Sequence, residues 1–189
     1  MTVSDTNISG VYIIDPDLHE DSRGYFYESF NEREFNEKTG ADFHPVQDNE
    51  SKSCYGVLRG LHFQEPPHQQ AKLVRVVSGL VFDVAVDLRE DSPTKGKYVS
   101  TMLSDENRRQ FFIPKGFAHG FVVLSDEAVF QYKCDDYYHP ECEGGIAWDD
   151  EDLSIMWPLF STEIILSEKD KKRQSYNEYI SNRSKRPVR

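Results

Sequence analysis

Long apolar runs are absent from this chain. No stretch approaches the roughly 18 residues that a membrane-spanning helix requires, and the opening MTVSDTNISG lacks the basic and apolar parts of a secretory signal. A soluble, untargeted protein is expected. Cysteine is scarce: Cys54, Cys134 and Cys142 are odd in number and form no CxxC pair. That excludes a dense disulfide framework and points to a reduced, cytoplasmic protein with small buried thiols. Positive charge is also short. With 22 Lys and Arg against 33 Asp and Glu the net charge is -11, so the overall field repels nucleic acid and anionic membranes and neither is expected as a partner. No GxGxxG or Walker-type loop occurs, so the usual backbone cradles for dinucleotides and nucleoside triphosphates are missing. A phosphorylated ligand would have to be held by side chains.

What is present suits one β-rich domain. In 189 residues, 38% are hydrophobic and 13% aromatic, enough for one sizeable core. The expected organisation is an N-terminal arm and strands over about 1–50, a barrel over about 51–135, and a C-terminal segment with a basic tail over about 136–189. In FDVAVDLR (82–89), Phe82, Val84, Val86 and Leu88 alternate with Asp83, Ala85, Asp87 and Arg89, predicting a half-buried strand. The Ser78-Gly79 turn signal predicts a hairpin joining 72–77 to 80–88. Further strands are predicted at 11–16, 25–30, 97–103, 109–114, 119–125 and 128–134. Their short, turn-punctuated spacing fits an antiparallel jelly-roll-like barrel rather than βαβ units. Helices are few: 31–40, ending in Gly40, and a short turn at 151–157 before Pro158. From Glu168 onward the tail carries +5, leaving -16 on residues 1–167. It either docks on the acidic body or a phosphate-bearing ligand, or frays after about residue 175.

The chemistry centres on RGLHFQ (59–64). A strand ending in LHF, a Gly-centred hairpin and IPKGFAHGF together resemble the cupin superfamily of small β-barrels. Metal-binding cupins use a His-x-His pair, a downstream Glu and a later His. Here Gln64 stands two after His62, no glutamate occurs between Pro66 and Arg89, and His68 lies six residues on in the loop-like EPPHQQ, outside the strand that carries His62. No metal is expected at His62. The residue types instead form a proton-transfer set: His62 as a base, Lys72 as an oxyanion stabiliser and Tyr132 as a phenolic proton donor. Each alone has a plainer reading as a structural histidine, a surface lysine or a core tyrosine. Arg23 and Arg59, each followed by glycine, are candidates for gripping phosphate, and Tyr137-Tyr138 offers a flat face for a base.

Taken together, DSRGYFYESFN, QDNESKS, GVLRGLHFQ, QAKLVRVVSGLVFDVAVDLR, FFIPKGFAHGF, YKCDDYYHPECEGGIAWDDEDLSIMWP and ILSEKD, in that order from about Ile8 to Asp170, resemble the dTDP-4-dehydrorhamnose 3,5-epimerases. The resemblance implies an all-β, cupin-type jelly-roll barrel, a homodimer and no cofactor. It implies conversion of dTDP-4-dehydro-6-deoxy-D-glucose to dTDP-4-dehydro-L-rhamnose. By resemblance His62 is the proton acceptor, Asp170 its paired carboxylate and Tyr132 the opposing proton donor, with Lys72 on the oxyanion. Arg23, Glu28, Gln47, Asn49, Arg59, His119, Glu143 and Lys169 fall at substrate-contacting positions, and Tyr138 stacks on the thymine. Part of the nucleotide contact comes from the partner subunit's N-terminal segment. Beyond Asp170 the chain matches nothing. The alternatives are a related nucleotide-sugar 3-epimerase or ketoisomerase, a metal-dependent cupin oxygenase, or a non-enzymatic sugar-nucleotide binding module.

Overall fold

The computed structural model describes residues 1–184. From the N-terminus run β1 (Thr2–Asp5), β2 (Tyr12–Asp15), β3 (His19–Asp21), β4 (Gly24–Phe26) and the helix α1 (Glu32–Thr39). There follow β5 (Gln47–Cys54), β6 (Leu58–Gln64), β7 (Lys72–Ser78), β8 (Leu80–Asp87) and β9 (Tyr98–Ser104). The described chain closes with β10 (Gln110–Ile113), β11 (Phe117–Val123), β12 (Glu127–Cys134), β13 (Glu143–Gly145) and α2 (Tyr176–Ser184). A six-stranded sheet runs β1-β2-β10-β7-β12-β5, a five-stranded sheet runs β13-β6-β11-β8-β9, and β3-β4 form a separate hairpin. The sheets pack face to face as an antiparallel sandwich, the expected mainly-β, jelly-roll-like architecture.

The core lies between the sheets. Val74, Val76, Phe111, Ile113 and Phe130 of the first meet Val81, Ala85, Leu103, Phe117, Phe121 and Val123 of the second. Burying each large apolar side chain contributes about 1.5–3 kcal/mol, and the alternation along every strand directs one set of residues inward. Gly60 lies at φ 143, and a Cβ there would meet Gly120 Cα at 2.6 Å. Glycine in RGLHF therefore serves the close approach of β6 and β11. α1 begins where Asn31 accepts a hydrogen bond from the Glu34 amide at 3.2 Å and ends at Gly40, φ 68. Its Phe35 packs against Phe43 and Phe112.

Several expectations are corrected. β7 and β8 belong to different sheets, so Ser78-Gly79 marks a crossing between layers rather than a hairpin. β8 is buried on both faces: Val81, Asp83 and Ala85 are fully covered, and so are Val84 and Val86. The second cover comes from Leu153, Tyr179 and the partly buried Ile155, Trp157 and Tyr176. The tail is therefore ordered past residue 175: α2 places Tyr179 edge-on against Phe63 at 5.1 Å, and Arg183 donates to the Leu88 carbonyl at 3.0 Å. The rest of the predicted tail lies outside the described residues. Residues 151–154 form a turn and 155–157 no regular element: the Asp150 carboxylate caps the amides of Asp152 and Leu153, but Ser154 at φ 46 leaves the helical region and ends the turn. The predicted strand 25–30 ends at Phe26, and Cys54 is exposed while Cys134 is buried. The polar strand β5 was not foreseen.

Candidate active site

Where the apolar core stops, the two sheets enclose a cavity of about 630 Å3. β5, β7 and β12 form one wall and β6 the other, with the rim closed by the loop after β12, by β13 and by residues 165–170. β5 reads QDNESKSC because Gln47, Asn49, Ser51 and Ser53 alternate on one face, opposite Cys134, Tyr132, Phe130 and Ala128 of β12. Short polar side chains replace the usual apolar ones, which hides the strand from a search for hydrophobic alternation.

His62 stands on β6, beside His119 of β11 in register. Its Nε2 lies 2.6 Å from Asp170 Oδ1. Asp170 is 5% exposed; its Oδ2 accepts from Ser167 Oγ at 2.9 Å, and Arg173 Nε approaches Oδ1 at 3.4 Å. Burial raises the Asp170 carboxyl, but the hydrogen bond and charge of His62, the Ser167 bond and the Arg173 charge outweigh it and hold the pKa low. An ionised Asp170 accepts a hydrogen bond from Nε2–H, so Nδ1 carries the free lone pair that a general base requires.

Across the cavity stand Lys72 on β7 and Tyr132 on β12, with Lys72 Nζ 5.8 Å from the Tyr132 ring centre. Burial lowers the Lys72 pKa, against the pull of Cys134, Asp83 and Glu143, and among the described residues no carboxylate lies within ion-pair distance of it. Cys134 is no counter-charge, since burial pushes its thiol up to about 11. Burial also raises the Tyr132 phenol, aided by Cys134 and opposed by Arg59. A protonated phenol and an underpartnered ammonium thus share one wall.

Glu143 organises the rim. It accepts from Arg173 Nη2 at 2.6 Å, from Tyr138 OH at 2.7 Å and from Lys169 Nζ. Burial raises its carboxyl, but these three bonds bring it to about 2. Tyr138 is further held by its amide, which donates to Gln47 Oε1 at 3.0 Å. Arg59 points into the same space with Nε donating to Ser53 Oγ at 3.1 Å, leaving the outer edge of its guanidinium for an anion.

Ten of the sequence-predicted residues therefore line one cavity: His62, Tyr132, Asp170, Lys72, Gln47, Asn49, Arg59, Tyr138, Glu143 and Lys169. Three do not. Arg23, with an 87% exposed side chain, pairs with Asp21 on the β3-β4 hairpin, and Glu28 accepts from Asn31. His119 is 8% exposed and lies 2.9 and 3.0 Å from the two oxygens of Asp83.

The family model described as dTDP-4-dehydrorhamnose 3,5-epimerase matches residues 5–178. The chain belongs to this family. It is 57% identical over 168 residues to the dTDP-4-dehydrorhamnose 3,5-epimerase of Methanothermobacter thermautotrophicus, covering 88% of this chain and 89% of that protein. It is similar to the crystal structure of a dTDP-6-deoxy-D-glucose-3,5-epimerase from Legionella pneumophila in complex with dTDP-4-keto-L-rhamnose. The TM-score is 0.90 and the identity 52%, with 93% of each chain covered. A 3'-monoepimerase from Streptomyces bikiniensis in complex with dTDP-quinovose superposes with a TM-score of 0.85 at 34% identity, over 93% of this chain and 89% of that one. The family match runs past Asp170, where the sequence comparison ended.

In this member of the epimerase family, reading the sequence missed Arg173, Ser167 and Asp83. Arg173 lies in a tail whose charge alone was read, Ser167 stands inside the ILSEKD motif without a role of its own, and Asp83 appeared only as the outward partner in an alternating strand. Their role is set by partners between 3 and 36 residues away.

Proposed function

We propose that the chain converts dTDP-4-dehydro-6-deoxy-D-glucose to dTDP-4-dehydro-L-rhamnose by inverting C3 and C5, as a cytoplasmic homodimer that uses no cofactor. The observation that carries this reading is the origin of the acid and the base. His62 comes from one sheet and Tyr132 with Lys72 from the other, across one cavity. Inversion needs a proton removed from one face of a carbon and returned to the opposite face.

The C4 ketone acidifies the hydrogens on both flanking carbons, so acid-base chemistry suffices. His62 Nδ1 takes the proton from C3 or C5, and the charge gathers on O4 as an enolate. The Lys72 ammonium, destabilised by burial while alone, is stabilised when that oxyanion forms beside it. Tyr132 donates its phenolic proton to the opposite face of the same carbon. Because C3 and C5 flank one carbonyl, a single oxyanion stabiliser serves both inversions. Arg59 and Lys169 meet the diphosphate and Tyr138 stacks on the thymine.

Dimerisation is supported by Arg23 and Glu28, which lie outside their own chain's cavity on a segment that also exposes Tyr25 and Phe26. The hairpin reaches the site of a second copy. The three free cysteines fit a reducing compartment, and no helix among the described residues is long and apolar enough to cross a membrane.

Proton NMR of the 4-keto substrate incubated with the protein in deuterated water tests the reading, with His62→Ala alongside. Deuterium entering at C3 and C5, and lost in the variant, is expected. Exchange at C3 alone means a monoepimerase or ketoisomerase, for which the S. bikiniensis structure shows a similar fold. No exchange would overturn the acid-base reading in favour of a binding module or an oxygenase.

A further inference from the structure

We propose that His68, Asp136 and His139 form a binding site for one imidazole-preferring divalent transition metal, zinc being the probe of choice, at the rim of the cavity. Among the described residues these three bring one ligand atom each to within 4.8 Å of one another. The two imidazoles stack at 3.5 Å between ring centres and 11° between planes, and His68 Nδ1 lies 3.2 Å from Asp136 Oδ2. Ligands about a tetrahedral ion with bonds near 2.1 Å stand roughly 3.4 Å apart, so side-chain rotation closes the set. Two imidazoles and a carboxylate suit zinc, nickel or copper; magnesium and calcium require oxygen ligands.

The backbone that carries the three ligands is held in place by the buried Gln64 and the half-buried Gln70 rather than left to loop motion. Gln64, 6% exposed, donates from Nε2 to the carbonyls of His68 and Tyr137 at 2.6 and 3.1 Å, and its Oε1 accepts from the His139 amide at 2.6 Å. Gln70 Nε2 donates to the Asp136 carbonyl at 2.7 Å. Glu141, 3.1 Å from His139 Nδ1, adds a second carboxylate beside the ring. The site is separate from His62 and Asp170, and each ligand is about a third exposed or less, leaving an open position for water. A metal here ties the β6-β7 loop to the segment holding Tyr137 and Tyr138, so its consequence is a more rigid wall for the nucleotide. The site's existence does not depend on the proposed activity.

The test is calorimetric titration of the full chain with zinc chloride in a non-coordinating buffer. The variants are His68→Asn, His139→Asn, Asp136→Asn and His62→Asn, each checked for folding by circular dichroism and thermal unfolding. One saturable equivalent per chain is expected, weakened at least about tenfold in the His68, His139 and Asp136 variants and unchanged in His62→Asn. Absence of saturable binding overturns the proposal. So does binding that survives all three ligand variants, or that is lost with His62. If one ligand variant fails to fold, the other two still decide. Cobalt(II) substitution giving a tetrahedral absorption band that vanishes in His139→Asn would support the same geometry.

Discussion

Asp170→Asn asks what the carboxylate behind His62 does. Two arrangements of the new amide are possible. With its NH2 group at the Oδ1 position it faces His62 Nε2, forces the proton onto Nδ1 and removes the base; the same change of tautomer in a Ser-His-Asp triad costs on the order of 10⁴ in kcat. With the NH2 group at the Oδ2 position it faces Ser167 Oγ, and the oxygen at Oδ1 still accepts from Nε2. The surroundings favour the second. Arg173 Nε, 3.4 Å from Oδ1, can tolerate only an acceptor there, whereas the Ser167 hydroxyl can turn to accept. The tautomer is then kept, and the variant loses only the difference between a charged and a neutral acceptor for the imidazolium. Hydrogen bonds to charged groups contribute about 1.5–3 kcal/mol and neutral ones about 0.5–1.5 kcal/mol. The difference, about 1–1.5 kcal/mol, lowers kcat roughly tenfold. KM should change little, because the imidazolium exists only once the proton has moved. The assay is steady-state turnover coupled to reduction of the product, with the His62 tautomer read by nitrogen NMR. A turnover number equal to that of the parent would remove Asp170 from the mechanism, and a loss near 10⁴ would show that the amide faces the other way.

Three further outcomes are expected. Lys72→Ala should lower kcat on the order of 10²–10³ with a smaller effect on KM; an unchanged kcat in steady-state assay would exclude Lys72 as the oxyanion stabiliser. Arg23→Ala and His62→Ala, each weak alone, should regain activity when unfolded and refolded together, since one mixed dimer site combines an intact arm with an intact base; no recovery in the presence of mixed dimers would refute the shared site. Asp87, fully buried, accepts from the Arg89 backbone and guanidinium and from the hydroxyls of Ser92 and Thr94. Burial raises its carboxyl, but these bonds win and lower it from an ordinary 3.8 to about 2. A pKa depressed in the folded state stabilises above the unfolded value and is lost as pH falls, so Asp87→Asn should cost about 2 kcal/mol at pH 7. Urea unfolding should show that difference shrinking between about pH 4 and pH 2. A difference independent of pH would mean that the carboxylate charge contributes nothing.

Much of the site was legible because its chemistry names its residue types. His62, Lys72 and Tyr132 are recognisable as candidates for base, oxyanion partner and acid, and Tyr138, Glu143 and Lys169 as candidates from the family resemblance; all six line one cavity. The structure adds what brings them together: His62 and Asp170 are separated by 108 residues, and only the docking of the 165–170 loop against β6 makes them a pair. Arg173 was hidden for a similar reason, since its partner Glu143 lies 30 residues away. Asp83 was hidden by a different one: the apolar residues Val84 and Val86 read as the inward face, whereas they lie under the C-terminal segment and Asp83, with Val81 and Ala85, turns toward the other sheet.

The sequence by itself determined the local structure: a strand through 82–87, the helix bounded by Asn31 and Gly40, and the absence of any phosphate loop or disulfide framework. These follow from interactions within a few residues, where side-chain period and backbone preference act directly. Tertiary structure alone decided that β7 and β8 part at Gly79 into different sheets, and that the chain's end covers the outer face of β8. It also decided that a strand of Gln, Asn and Ser completes the cavity wall. Those outcomes depend on which distant surfaces bury one another, a free energy that belongs to the whole chain and leaves no mark in any short stretch of it.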